Sequence, residues 1–107
     1  RIDALVSSRS ALNEALTPIR RVVQAARLTN PRLDGTVRRG SDLLRAQIAF
    51  VFLDDLIPLE SQERMAKVAA VEAATSWPTW HHLRDEQGLS EETSRAVVER
   101  LVTGVIA

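Results

Sequence analysis

Apolar residues recur along this chain at intervals of three and four, the spacing that lines one face of an α-helix. Ile2, Leu5, Val6, Leu12 and Leu16 form the first such stripe, which is predicted to end near Thr17. Thr17-Pro18 reads as a helix start, since a threonine hydroxyl can cap free N–H groups and proline suits the first helical position. A second, short helix is expected to turn Ile19, Val22, Val23 and Ala26 inward. It should stop before Asn30-Pro31, because the residue before a proline is pushed out of the α region. Asp34 is the candidate cap of the next and longest helix, although Gly35 and Gly40 each weaken its first turns by up to about 1 kcal/mol relative to alanine. From Ser41 the pattern strengthens. Leu44, Ile48, Val51 and Phe52 share one stripe, and Leu43, Ala46, Phe50 and Leu53 carry apolar character around the rest. A helix of that kind must be covered on several sides, which predicts a central position, and Pro58 ends it or opens the following loop.

Ser61 is the candidate cap of a further helix, with Met65, Val68, Ala69 and Glu72 on one face and Ala66, Ala70 and Ala73 on another. After Thr75-Ser76, the segment Trp77-Pro78-Thr79-Trp80 restarts the helix and sets Trp77, Trp80, Leu83 and Arg84 at helical spacing. Gly88 is expected to close it as a left-handed cap. Ser90 then caps the last helix, with Glu91 and Glu92 at the positive end of its dipole and Val97, Val98, Leu101, Val102, Val105 and Ile106 along a wide apolar arc. No repeat or linker-like run separates these segments. The expected fold is an all-α, single helical bundle of about five or six helices, one domain over residues 1–107.

Composition narrows the function. The 14 basic residues balance 14 acidic ones, leaving no electrostatic surplus with which to hold DNA directly. Cysteine is absent, which removes disulfides, thiolate catalysis and most structural zinc sites. Neither an apolar run long enough for a membrane span nor a secretory leader is recognisable, so a cytoplasmic location is expected. The start at Arg1 suggests a fragment, a processed product, or part of a longer protein.

The C-terminal third carries a family likeness. Ser76-Trp77-Pro78-Thr79-Trp80-His81-His82-Leu83-Arg84, followed by Asp85-Glu86-Gln87-Gly88-Leu89-Ser90 and an apolar helix, resembles the late helices of TetR-like transcriptional regulators. Pro18-Ile19-Arg20-Arg21 and Leu43-Leu44-Arg45-Ala46-Gln47 upstream also look like that family's regulatory domain. The resemblance covers nearly the whole chain, but the family's N-terminal helix-turn-helix is not among these residues. It implies an effector pocket among the central helices and a homodimer formed through the last two long helices, with DNA bound only by the missing domain. The alternative is a stand-alone helical interaction and dimerisation module.

Candidate pocket residues are Leu44, Ile48, Val51, Phe52, Met65 and Trp77, although apolar stripes of this kind are what every bundle has in its core. Without a Gly-rich phosphate loop, an effector is expected to be apolar or aromatic. Trp80, Leu83, Arg84, Val97, Val98, Leu101, Val102 and Val105 are the candidate dimer contacts, since the last helix's arc is wider than one-sided packing needs and Gly104 permits close approach. The competing account is that this helix packs inside its own chain. His82 with Glu86 and His81 with Asp85 have metal-compatible spacing, but two ligands are too few, and no cofactor is expected. Arg20-Arg21 and Arg38-Arg39 read as solvated or locally paired, and Asp54-Asp55 as a carboxylate pair without catalytic machinery. Nothing supplies a nucleophile with an adjacent base, so no enzymatic activity is expected.

Overall fold

The computed structural model describes residues Arg1–Ala107 and is helical throughout, without a strand. Helix α1 spans Ile2–Ala26, α2 Pro31–Val51, α3 Leu53–Leu56, α4 Ser61–Ala74, α5 Trp77–His81 and α6 Glu91–Ile106. A π-wound turn over His82–Glu86 continues α5. The expected all-α class and helix number hold, and no helix is long and apolar enough to cross a membrane.

The largest departure from expectation lies at Pro18, which sits inside one continuous helix instead of starting a second. An interior proline removes one ladder hydrogen bond and costs about 3 kcal/mol. Two side-chain hydrogen bonds meet on this turn. Thr17 Oγ1 donates to the Asn13 carbonyl at 2.8 Å, and Trp77 Nε1 donates to Thr17 Oγ1 at 3.1 Å. Helix α2 likewise begins earlier than expected. Asn30, not Asp34, is its cap, its side chain accepting from the Leu33 amide at 3.1 Å with Pro31 in the first position. Asp34 instead lies between Arg27 and Arg38, whose hydrogen bonds hold its carboxyl below the usual carboxylate range. This places an ion pair across the α1–α2 loop.

The C-terminal half follows the expected signals closely. Ser61 is the first residue of α4 and not its cap, which is Glu60 without a side-chain hydrogen bond, while Ser90 caps α6 as expected by accepting from the Thr93 amide at 3.1 Å. Gly88 has φ +67°, the left-handed conformation expected of it. Within the π turn the Gln87 amide reaches the His82 carbonyl, and the Leu89 amide bonds to the Leu83 carbonyl, one residue further back than in an ordinary helical C-cap.

The core gathers at one end of the molecule. Leu5 and Val6 of α1, Ile48 of α2, Phe52, Leu56, Val71 and Ala74, Trp80, Leu83, and Val98 and Val102 of α6 form one buried cluster. Helix α6 packs on both α1 and α4, α2 packs on α4, and α1 packs on α5. Beyond Ser10, α1 has no fully buried residue, and α2 has only Ile48. The distal halves of these two helices therefore leave the core as the walls of a groove, in a molecule measuring 40 × 33 × 18 Å.

Phe52 is fully enclosed, so Phe52→Ala is expected to cost about 3–5 kcal/mol in urea denaturation. Ile19→Ala, at an exposed position on α1, should stay within about 0.5 kcal/mol of the parent. Equal losses for the two would contradict this placement of the core.

Candidate functional site

Two faces written into α1 and α2 define the groove. On α1, Arg9, Leu12, Leu16, Arg20, Val23 and Arg27 follow one another at three- and four-residue steps. On α2, Leu33, Val37, Gly40 and Leu44 do the same. These faces are not packed together along their lengths, because α1 rests on α5 and α6 while α2 rests on α4. The space between them is a groove of about 950 Å³ whose remaining boundary is formed by residues of α4 and the α4–α5 junction, including Glu72, Ala73, Thr75, Ser76, Trp77 and Pro78.

The polar groups of the groove differ in how far they are satisfied. Arg9 is buried and donates to Gln47 Oε1, and burial lowers its pKa against the opposing attraction of Glu72. Glu72 accepts from the Ser41 hydroxyl, and Arg45 bonds both Ser41 and Asp42. Arg27 is paired with Asp34. Arg20 differs from its neighbours. Its guanidinium lies over the Trp77 ring, 5.4 Å from the centroid, and its Nε is enclosed without a hydrogen-bond partner. Burial and the repulsion of Arg27 both lower its pKa. The His81 ring stacks on Trp77 at 4.7 Å with an interplanar angle of 14°.

Below the groove, a clasp fixes α1 to the π turn. Glu14 accepts from Arg84 through both carboxylate oxygens, at 3.0 and 2.9 Å, and from Trp80 Nε1 at 2.8 Å. Arg84 also donates to the Leu89 carbonyl at 2.7 Å. The Arg84 hydrogen bonds hold the Glu14 carboxyl at about 2, with a smaller contribution from Trp80 in the same direction.

Of the six residues expected to line a pocket, Leu44 and Trp77 lie on the groove. Ile48 and Phe52 are fully buried in the solid core, and Val51 is half-buried against it. Met65 is exposed beside Arg45, Ala46 and Arg64 in a separate, shallower depression of about 390 Å³. The central stripe of α2 fills the space between its neighbours, so no cavity remains there, and the groove opens further toward the α1–α2 loop. Leu12, Leu16, Arg20, Val23, Leu33 and Val37 were not anticipated as lining residues. Extending the α1 stripe through Pro18 would have found the α1 members.

The expected dimer contacts also divide. Trp80, Leu83, Val98 and Val102 are buried in the chain's own core. The premise that the arc of α6 exceeds what one chain can cover does not hold for them, because α6 is covered by two helices, α1 and α4. Arg84 is engaged with Glu14, and Val97 and Val105 are half-buried against the core. Leu101 is 45% exposed, and a Cβ added at Gly104 would meet open space. The histidine pairs form as spaced, His82 with Glu86 and His81 with Asp85, but no group of three metal-ligating side chains exists. Arg38 is paired with Asp34, and Asp55 with Arg1.

No family model, curated protein or solved structure matches the chain.

Glu14 gives the site a pH signature. Its folded pKa lies below the ordinary value of 4.5, so its contribution to stability is present above that value and is lost as pH falls toward about 2. The stability difference between the parent and Glu14→Gln should be constant above about pH 5.5, one unit clear of that ordinary value, and should shrink as the solution is acidified. Denaturation curves at pH 7, 4 and 2.5 test this, and a difference that grows toward low pH would contradict the assigned clasp.

Proposed function

We propose that this chain is the effector-sensing, dimer-forming domain of a TetR-like transcriptional regulator of bacterial type, acting in the cytoplasm, with DNA reading carried by a helix-turn-helix outside these residues. The α1–α2 groove is the observation that carries this reading. Its volume falls in the range of small-molecule sites, roughly 300–1,000 Å³, and its walls combine apolar side chains with arginines, carboxylates and hydroxyls. Its two walls also rest on different neighbours, α1 on α5 and α6 and α2 on α4. A ligand that bound better when the walls were closer would bias the angle between α1 and α2, which is the kind of differential affinity a ligand-driven switch needs. The likeness of Ser76–Arg84 and Gly88-Leu89-Ser90 to the family's late helices supports the same reading.

Dimerisation is assigned to the part of α6 that its own chain leaves uncovered. Val97, Leu101, Gly104 and Val105 recur at helical spacing on one face, and Leu101 and Gly104 are exposed. A stand-alone helical interaction module is the second reading. The exposed Leu43, Phe50, Ile57 and Met65 favour it, since apolar side chains in such number suit protein contacts.

Light scattering from about micromolar to a hundred micromolar should give a mass near twice 11.9 kDa. Leu101→Arg should halve that mass while leaving the helical circular dichroism intact. Val98→Glu, which places a carboxylate in the core, should unfold the chain instead. A parent that stays monomeric throughout would remove the dimer assignment.

A further inference from the structure

Arg20 is the group in the groove whose bonding is incomplete. Each of the other arginines on this part of the surface has an acceptor: Arg9 has Gln47, Arg27 and Arg38 share Asp34, and Arg45 has Asp42. Arg20 has the face of Trp77 beneath it, an enclosed Nε with no partner, and Arg27 as a like-charged neighbour. An enclosed Nε–H without an acceptor is costly, and the planar fork of a guanidinium matches a carboxylate through two parallel hydrogen bonds. Apolar side chains share the groove with it, Leu16 and Val23 on α1 and Val37 and Leu44 on α2.

We infer that the groove binds a small amphipathic monocarboxylate, its carboxylate on Arg20 above Trp77 and its aromatic or short acyl body along the apolar walls between α1 and α2. This rests on the effector-sensing reading of the groove and names the chemical class of the effector. Charge complementarity selects the occupant. A neutral apolar molecule would leave the Arg20 charge without a counter-ion. A phosphate ester or dianion would be expected to require more cationic donors than this groove leaves free, since Arg27, Arg38 and Arg45 are already held by carboxylates. A free carboxylate needs one fork and an apolar wall, and both are present.

The test compares 1-naphthoate with 1-naphthamide, and octanoate with octanamide, by isothermal titration against the full chain, with tryptophan fluorescence as a second readout because Trp77 lies under the proposed contact. The carboxylates are expected to bind and the matched amides to bind at least tenfold more weakly. Arg20→Gln should weaken naphthoate by roughly ten- to a hundredfold, the range for a charged hydrogen bond, and leave naphthamide unchanged. Arg20→Lys, which keeps the charge without the fork, should fall between. Circular dichroism of both variants should match the parent, since Arg20 makes no hydrogen bond within the chain. Amides that bind as well as the carboxylates, or naphthoate affinity indifferent to Arg20→Gln, would overturn the inference while leaving a neutral effector possible for the groove. Absence of binding by all four probes to the folded chain at millimolar concentration would overturn it as well, and a dimer persisting under those conditions would show that the assembly half of the regulator reading survives.

Discussion

The Glu14 carboxylate, held by Arg84 and Trp80, is the interaction on which the arrangement of the chain most depends. It joins residues that lie 66 and 70 positions apart. Helix α1 is long, and only its first turns reach the core. Without a second point of attachment, its distal half would have little to fix its direction. The clasp supplies that attachment just before Pro18, and the Trp77–Thr17 hydrogen bond adds another one turn further along. An ion pair that is partly withdrawn from water and bidentate gives geometric definition as well as energy.

The groove follows from that definition. Because α1 is fixed to α5 and the π turn while α2 is fixed to α4, the two helices are directed separately, and the Arg27–Asp34–Arg38 cluster closes only their shared loop. The molecule thus has a packed half, which holds the buried cluster, and an open half, in which two helices face each other across a space. Stability is concentrated in the first, and the groove proposed as the effector site lies in the second.

Much of the fold was legible in the sequence because it rests on local signals. Ser90, Gly88 and the Trp77-Pro78 restart act through hydrogen bonds and backbone conformations within a few residues, and each appears where expected. Thr17-Pro18 misled for the opposite reason. Locally it is a sound start signal, but contacts from Trp77, sixty residues away, keep the helix intact through it. Of the residues expected to line a pocket, Leu44 and Trp77 lie on the groove, whereas Ile48 and Phe52 fill the core. An apolar stripe shows which side chains leave water, but not whether they meet one another or a vacancy. The same holds for α6, whose arc gives its width but not how many neighbours cover it.

The π-wound turn at His82–Glu86 sets the angular phase of everything around it. A π turn accommodates one more residue than an α turn spanning the same rise, and each residue rotates an α-helix by about 100°. Shortening this segment by one residue would therefore do more than trim a loop. It would swing Arg84 about a quarter-turn away from Glu14 while leaving the composition almost unchanged, so insertions and deletions here act on α1 through a contact that spans 70 positions of the chain.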